Sequence, residues 1–280
     1  MNRCDICLEE TCKGAHNCHC DTCNNIDKCY RVLRPTIRIT NRCTQECRHC
    51  CFSSSPKSNI FMSIDEAKII AKFLKANDIQ IVNLMGGEFF CNTDWFEILD
   101  VIISNVTFAR LVTNGDWAKN SEVKTKLSTL ISKHLVKLNI SISKDRYHTN
   151  AHVDEAVEFL KSTKVKYNVG DDDLMSYDGI VPIGRSLFEC SNYGLFSCYC
   201  HNPANMYSFL IDENGEIYKC SFGVWNYTNV KDHLEGDFAK EFKRLNSKFY
   251  DIFITSCKSC IMNAEMLSRQ YDEPRIVSHN

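Results

Sequence analysis

The sequence predicts an α/β protein: a parallel β-sheet flanked by helices and assembled from six β/α units, with a cysteine-rich arm before it and a small α+β unit after it. Three observations predict this. From Pro35 to about Ile183, short β-rich runs alternate with amphipathic stretches of helical period, and such alternation calls for parallel strands joined by crossover helices. After Arg185, Glu213-Asn214-Gly215 separates two β-rich runs, and Asn-Gly in that setting signals a hairpin. Residues 1–34 are polar, rich in Cys, Asn and Asp, and keep no sustained period. Six units give either an incomplete barrel or an open curved sheet, and the pattern alone does not choose between them.

The elements follow in order. Residues 36–40 (TIRIT) read as the first strand, with a cysteine loop behind it. Ser63 and Glu66 form a capping-box pair ahead of a helix that carries Ala67, Ile70, Ala71 and Leu74 on one face. Residues 80–85 (QIVNLM) make a buried strand, and 94–104 a helix with Asp94 and Glu97 in capping-box positions. Strand 109–113, helix 119–132, strand 137–143 (KLNISIS), helix 153–162 and strand 164–169 come next, and 178–183 is the candidate sixth strand. Beyond Arg185, runs 206–212 and 216–220 flank the Asn-Gly turn, and a helix bearing Phe238, Phe242 and Leu245 precedes Cys257-x2-Cys260. The expected division is an arm over 1–34, a core over 35–189 and a C-terminal unit over 190–280. In parallel α/β sheets ligands sit at the carboxyl ends of the strands, so the residues just after each strand are where chemistry is sought.

With 280 residues, 44% of them hydrophobic, the chain can bury a substantial core. A net charge of −2 points to neither a nucleic-acid nor a membrane surface, and no apolar run approaches the ~20 residues of a membrane helix. The first ten residues hold no apolar signal-peptide core, so a cytoplasmic protein is expected. Cysteine is the anomaly, at 18 residues. Seven lie in 4–29, four in 43–51, one at 91 and six in 190–260. A disulfide scaffold suits small secreted chains with poor cores; thiolate ligation of metal suits this one, and bunching lets one loop present several thiolates to one centre.

Cys43, Cys47 and Cys50 form C-x3-C-x2-C directly after the first strand. Three thiolates on one loop can ligate three irons of a [4Fe–4S] cube and leave the fourth open to a substrate, the logic that separates catalytic from structural metal sites. A structural zinc is the bland alternative. Gly86-Gly87-Glu88 follows the second strand at once, Asn114 and Gly115 end the third, and Ser141, Ser143, Asp145 and His148 end the fourth. Pro182-Ile183-Gly184-Arg185 follows the sixth.

Over roughly residues 35–262 this constellation resembles the radical S-adenosylmethionine (SAM) superfamily. The resemblance implies a partial (β/α)6 TIM-like barrel and a cluster whose open iron is chelated by the SAM amino and carboxylate groups. It implies that one electron cleaves the sulfonium bond and that a 5′-deoxyadenosyl radical abstracts a substrate hydrogen. It assigns the backbone of Gly86, Gly87 and Glu88 to the SAM amino group, and Ser141 or Ser143 with Asp145 to the ribose and carboxylate. With Ser141 as the family serine, Ser143 stands where an Asp is usual. Asn114 is a further rim candidate, although a turn explains it equally well. Gly184 and Arg185 resemble a Pro-x-Gly-Arg segment whose backbone meets the adenine. Position 49 usually carries an aromatic; His49 here is a SAM neighbour rather than an iron ligand.

Cys200, Gly215-x4-Cys220 and Cys257-x2-Cys260 resemble a twitch domain, a truncated SPASM module in which a hairpin and a short helix hold one auxiliary [4Fe–4S] cluster. No cysteine follows Cys260, so one auxiliary cluster is expected rather than two. Cys198 or Cys190 could stand in for Cys200, and a zinc knuckle fits four thiolates equally well. Cys4-x2-Cys7 and Cys20-x2-Cys23, twelve residues apart, read as a metal site of zinc or a third iron–sulfur cluster.

Cys51, Cys91 and Cys190 are small buried hydrophobes by default. The sharper reading makes Cys91 a hydrogen-atom donor to a product radical. Asp171-Asp172-Asp173 could meet a substrate cation, or be a solvated loop. The resemblance implies a SAM-dependent enzyme with a flavodoxin- or ferredoxin-like electron donor. It implies a ribosomally made peptide as the substrate, crosslinked, oxidised or epimerised. The rivals are a small-metabolite dehydrogenase and a non-catalytic iron–sulfur or zinc module.

Overall fold

The computed structural model describes residues 33–170, 185, 208–218, 226–238 and 240–242. The expected N-terminal metal site (Cys4, Cys7, Cys20, Cys23), the sixth strand at 178–183, Gly184, and the twitch cysteines Cys200, Cys220, Cys257 and Cys260 lie outside these residues.

Eight strands form one sheet: β1 (Arg34–Arg38), β2 (Ile81–Met85), β3 (Phe108–Thr113), β4 (Leu138–Ile142), β5 (Lys166–Val169), β6 (Ser208–Ile211), β7 (Glu216–Tyr218) and β8 (Asn226–Asn229). Their order is β5-β4-β3-β2-β1-β6-β7-β8. Neighbours from β5 to β6 run parallel, and β6, β7 and β8 are antiparallel. Four helices cross between the parallel strands: α1 (Ile64–Ala76), α2 (Trp95–Ser104), α3 (Ser121–His134) and α4 (Val153–Thr163). Strand order that follows the chain, with right-handed crossovers, lays all four on one face. Among the described residues the sheet is open, with β5 and β8 at its edges.

One apolar rung explains the register. Ile211, Ile37, Leu84, Leu111 and Ile140 are successive cross-strand partners, and each is fully buried. Burial of each such side chain contributes about 1.5–3 kcal/mol, and a one-residue slip of any strand would turn its share to the wrong face. The helices answer with Ile70, Phe73, Leu74, Ile98, Leu99, Ile102, Leu127, Leu130, Ala156 and Leu160. Among the described residues no helix is long and apolar enough to cross a membrane.

Two capping boxes form only in part. Ser63 Oγ accepts the Glu66 N–H at 3.1 Å, but the Glu66 side chain turns to Lys231 instead of back to Ser63. Asp94 makes no side-chain cap; Asn92 Oδ1 accepts the Asp94 N–H at 2.9 Å and does that work. Helix α3 starts two residues later than its apolar period suggests, because Asn120 caps the N–H groups of Glu122 and Val123. The Asn-Gly hairpin forms between β6 and β7, and Gly215 turns it at φ +78°. This hairpin is fused to the core sheet. Strand β6 pairs with β1, and Arg38 Nε and Nη2 each donate to a Glu213 carboxylate oxygen at 2.9 Å.

Candidate active site

The cysteine loop leaves β1 and returns along itself: the Cys43 N–H donates to Ser55 O at 3.1 Å. At the same rim the chain beyond β2 clamps the stem of this loop. Gly87 N–H donates to Thr40 O and Glu88 N–H to Arg42 O, both at 2.8 Å. A Cβ on Gly87 would lie 2.5 Å from Arg42 O, and one on Gly86 2.9 Å from Thr40 Cγ2. The close approach that these glycines permit is therefore to the stem of the cysteine loop.

Glu88 points inward and is 1% exposed. Its carboxylate accepts the Thr113 hydroxyl at 2.7 Å and the Asn114 N–H at 2.8 Å. Burial pushes its carboxyl up to about 7, against these hydrogen bonds. Asn114 Nδ2 donates to Thr44 Oγ1 at 3.0 Å and reaches Cys43 Sγ at 3.9 Å. Sequence reasoning missed Gln45, which sits unmarked between the first two cysteines. Its buried amide donates to Asp116 Oδ2 at 3.0 Å and accepts from the Cys47 thiol at 3.4 Å and the Thr149 N–H at 3.2 Å. Thr44 donates to the same Asp116 oxygen. The only signal for these partners is their place inside or beside the motifs.

The end of β4 supplies Asp145, whose Oδ1 accepts the N–H groups of Tyr147 and His148 at 2.8 and 3.1 Å. Its Oδ2 lies 2.9 Å from His148 Nδ1 and 3.6 Å from His49 Nε2. Burial alone would raise this carboxyl; the hydrogen bonds from His148 and Tyr147 more than offset it and hold Asp145 at about 2. His49 stacks on Tyr147 with ring centroids 4.8 Å apart, and burial lowers its imidazole below the usual range. Ser143 faces the pocket, whereas Ser141 lies deeper in β4 and accepts from Asn168 at 2.8 Å.

A pocket opens here, lined by Cys43, Cys47, His49, Cys50, Gly86, Gly87, Asn114, Ser143, His148 and Arg185 among others. Cys91 lies off this lining, on the turn Phe89–Cys91 beside Glu88, and burial pushes its thiol up to about 11. Arg185 lines the same pocket and donates to the backbone of the cysteine loop.

The three motif cysteines are free thiols, not bonded to one another. Burial pushes Cys43 to about 12 and Cys47 to about 11, so thiolates there need a cationic partner, as a metal centre supplies. Among the described residues the side chains grouped tightly enough to grip a single ion are His49, Asp145 and His148, within 4.8 Å of one another. Three thiolates on one loop can hold three irons of a four-iron cube and leave the fourth open, and Cys43, Cys47 and Cys50 are that donor set.

Comparison with known proteins agrees with this donor set. The sequence model of the radical SAM superfamily matches residues 37–170. The putative peptide biosynthesis protein YydG of Bacillus subtilis (strain 168) is 30% identical over 134 residues, 47% of this chain and 39% of that protein. The antilisterial bacteriocin subtilosin biosynthesis protein AlbA of the same organism is 28% identical over 120 residues, 43% of this chain and 26% of that one. The chain thus matches less than half the length of either relative. The solved structure of BtrN in complex with AdoMet and 2-DOIA superposes at a TM-score of 0.55 with 13% identity, over 77% of this chain and 86% of that one, a likeness of fold. The cysteine trio at the sheet's carboxyl rim lies on the stretch, residues 37–170, that matches the radical SAM superfamily.

Proposed function

We propose that this chain binds a [4Fe–4S] cluster on Cys43, Cys47 and Cys50, takes SAM at the open iron, and abstracts a hydrogen atom from a ribosomally made peptide. The observation that carries the reading is the convergence of the three free thiols with Gly86, Gly87, Asn114 and Ser143 on one pocket at the carboxyl ends of β1 to β4. The match of residues 37–170 to the superfamily supports the cluster and SAM. Bound together, these supply one-electron cleavage of the sulfonium bond to methionine and a 5′-deoxyadenosyl radical, which takes a hydrogen atom and leaves the radical on the substrate.

The chain's own residues bind and orient. The N–H groups of Gly87 and Glu88 are occupied by the loop stem, so the carbonyls beyond β2 would be the groups to accept from the SAM amino group. Ser143 offers a hydroxyl at the rim. His49 offers a neutral ring face to the adenine, held by Tyr147 and Asp145. The peptide reading rests on the likeness to YydG, a putative peptide biosynthesis protein, and to AlbA, a bacteriocin biosynthesis protein. Crosslinking, oxidation and epimerisation all begin from the same hydrogen abstraction. The proposal extends to residues outside the described ones: Cys200 (or Cys198 or Cys190), Cys220, Cys257 and Cys260 would hold one auxiliary cluster, and Cys4, Cys7, Cys20 and Cys23 zinc or a third cluster.

Anaerobic reconstitution tests this. About eight irons per chain fit two four-iron clusters and about twelve fit three. With SAM and a reductant the wild type forms 5′-deoxyadenosine, and Cys47→Ala forms none. Absence of 5′-deoxyadenosine from the wild type would end the proposal. A mass change on a precursor peptide encoded beside the enzyme supports the peptide substrate; its absence, with SAM still cleaved, turns the reading to a small metabolite.

A further inference from the structure

We infer that Arg185 is a positioning residue for the cysteine loop, holding Cys47 and Cys50 in place by their carbonyls and raising the reduction potential of the cluster they carry. The inference rests on the open-site cluster proposed above.

Three donors of Arg185 go to three carbonyls of one loop. Its backbone N–H meets Cys50 O at 3.1 Å, its Nε meets Cys47 O at 3.1 Å and its Nη2 meets Ser54 O at 2.6 Å. Cys50 N–H to Cys47 O and Ser53 N–H to Cys50 O set a local turn, which His49 anchors through Tyr147 and Asp145. Arg185, far along the chain from the loop, adds a tie at the carbonyls of two of the three ligands. The planar guanidinium reaches the carbonyls of Cys47 and Ser54 at once; an ammonium has no such fork. Hydrogen-bonded partners of metal ligands orient them and tune the metal in this way.

The charge has a second consequence. The Arg185 guanidinium donates to the Cys47 carbonyl at 3.1 Å, which sets its positive charge beside a proposed cluster ligand. A cube on three thiolates carries one net negative charge when oxidised and two when reduced, so a fixed cation nearby stabilises the reduced form more. Shape and potential can be separated, because Arg185→Lys keeps the charge and loses the fork, whereas Arg185→Met loses both.

The test uses the full chain, reconstituted anaerobically. Two quantities are read: the rate of iron loss to a chelator, and the midpoint potential of the EPR signal that changes when SAM is added. Arg185→Met is expected to lose iron several-fold faster than wild type and to titrate at a lower potential. Arg185→Lys is expected to lose iron faster than wild type yet titrate near the wild-type potential. Wild-type iron retention and potential in Arg185→Met overturn the inference. Should Arg185→Met fold by circular dichroism but assemble no cluster, Arg185→Lys decides: faster iron loss supports the brace and wild-type retention overturns it. A wild type with no SAM-responsive signal removable by Cys47→Ala sinks the open-site reading itself. That signal present, with both Arg185 variants indistinguishable from wild type, sinks this inference alone.

Discussion

Glu88 and Asn114 tie the ends of two neighbouring strands together: the buried Glu88 carboxylate accepts the Asn114 backbone N–H at 2.8 Å, and Asn114 then reaches Thr44 and Cys43 with its own side chain. An acidic residue beyond β2 thus controls the position of a donor to the first cysteine, although it does not itself line the pocket.

This tie is pH-dependent. Glu88 titrates at about 7 in the folded protein, raised by burial, from an ordinary value of 4.5. Between these values the folded state keeps a proton that the unfolded chain has lost, so stability falls as pH rises from about 4.5 to about 7. The whole effect is at most a few kcal/mol, at about 1.4 kcal/mol per pH unit. Urea unfolding at pH 5, 6, 7 and 8 is expected to show this decline in wild type and a shallower one in Glu88→Gln. Parallel pH profiles for the two proteins would remove Glu88 as the cause.

Gly87→Ala puts a methyl group 2.5 Å from Arg42 O, where only backbone can give way. The stem of the cysteine loop must shift, at a cost of about 1–3 kcal/mol. Reduced iron uptake with secondary structure retained is expected, measured as iron per chain and by circular dichroism. Full iron content in Gly87→Ala would show that the stem tolerates displacement.

The strands and the rim motifs were legible because each is local. Apolar alternation marks β2 and β4, and Gly86-Gly87-Glu88 abuts the strand that it extends. The pairing of β1 with β6 was not legible: residues 37 and 211 meet across the whole core, and no periodicity records that. Gln45 was overlooked for a different reason. A spacing motif names its ligands and leaves the residues between them blank, yet this amide joins Cys47, Asp116 and Thr149. The capping boxes misled because Glu66 gains more from the Lys231 ammonium than from an exposed backbone N–H. Arg185 was placed at the right rim but read as a backbone contact to a ligand, since the reach of its side chain to the loop carbonyls leaves no trace in sequence.

Gln45→Ala strands the Thr149 N–H and releases Asp116 from one donor, a loss of about 1–3 kcal/mol for a buried polar group left unpaired. It also frees the turn between Cys43 and Cys47. The expected outcome is a lower urea midpoint together with faster iron loss to a chelator. Gln45→Glu separates the two effects, because it keeps the acceptor for Thr149 but sets a negative charge against Asp116. It should hold iron less well than wild type despite similar size. Equal retention in both variants would confine Gln45 to packing.

The Arg38–Glu213 pair tests whether the hairpin and the core sheet are one cooperative unit. Both oxygens of Glu213 are engaged at 2.9 Å, and the Glu213 side chain is 1% exposed against 15% for Arg38. Burial nevertheless pushes the Glu213 carboxyl above its ordinary value, against the pull of Arg38, so the pair does not fully repay the desolvation of its acid. Removing one partner should then be worse than removing both. Arg38→Met leaves a carboxylate buried without its cation and is expected to cost about 3–5 kcal/mol. Arg38→Met with Glu213→Leu should recover most of that loss, because it removes the buried carboxylate together with its cation. If β1 and β6 unfold together, the single variant shows one transition at a lower urea midpoint, with Trp fluorescence and circular dichroism coincident. Two separated transitions, with the core signal unmoved by Arg38→Met, would mean that the hairpin docks onto an independently stable sheet.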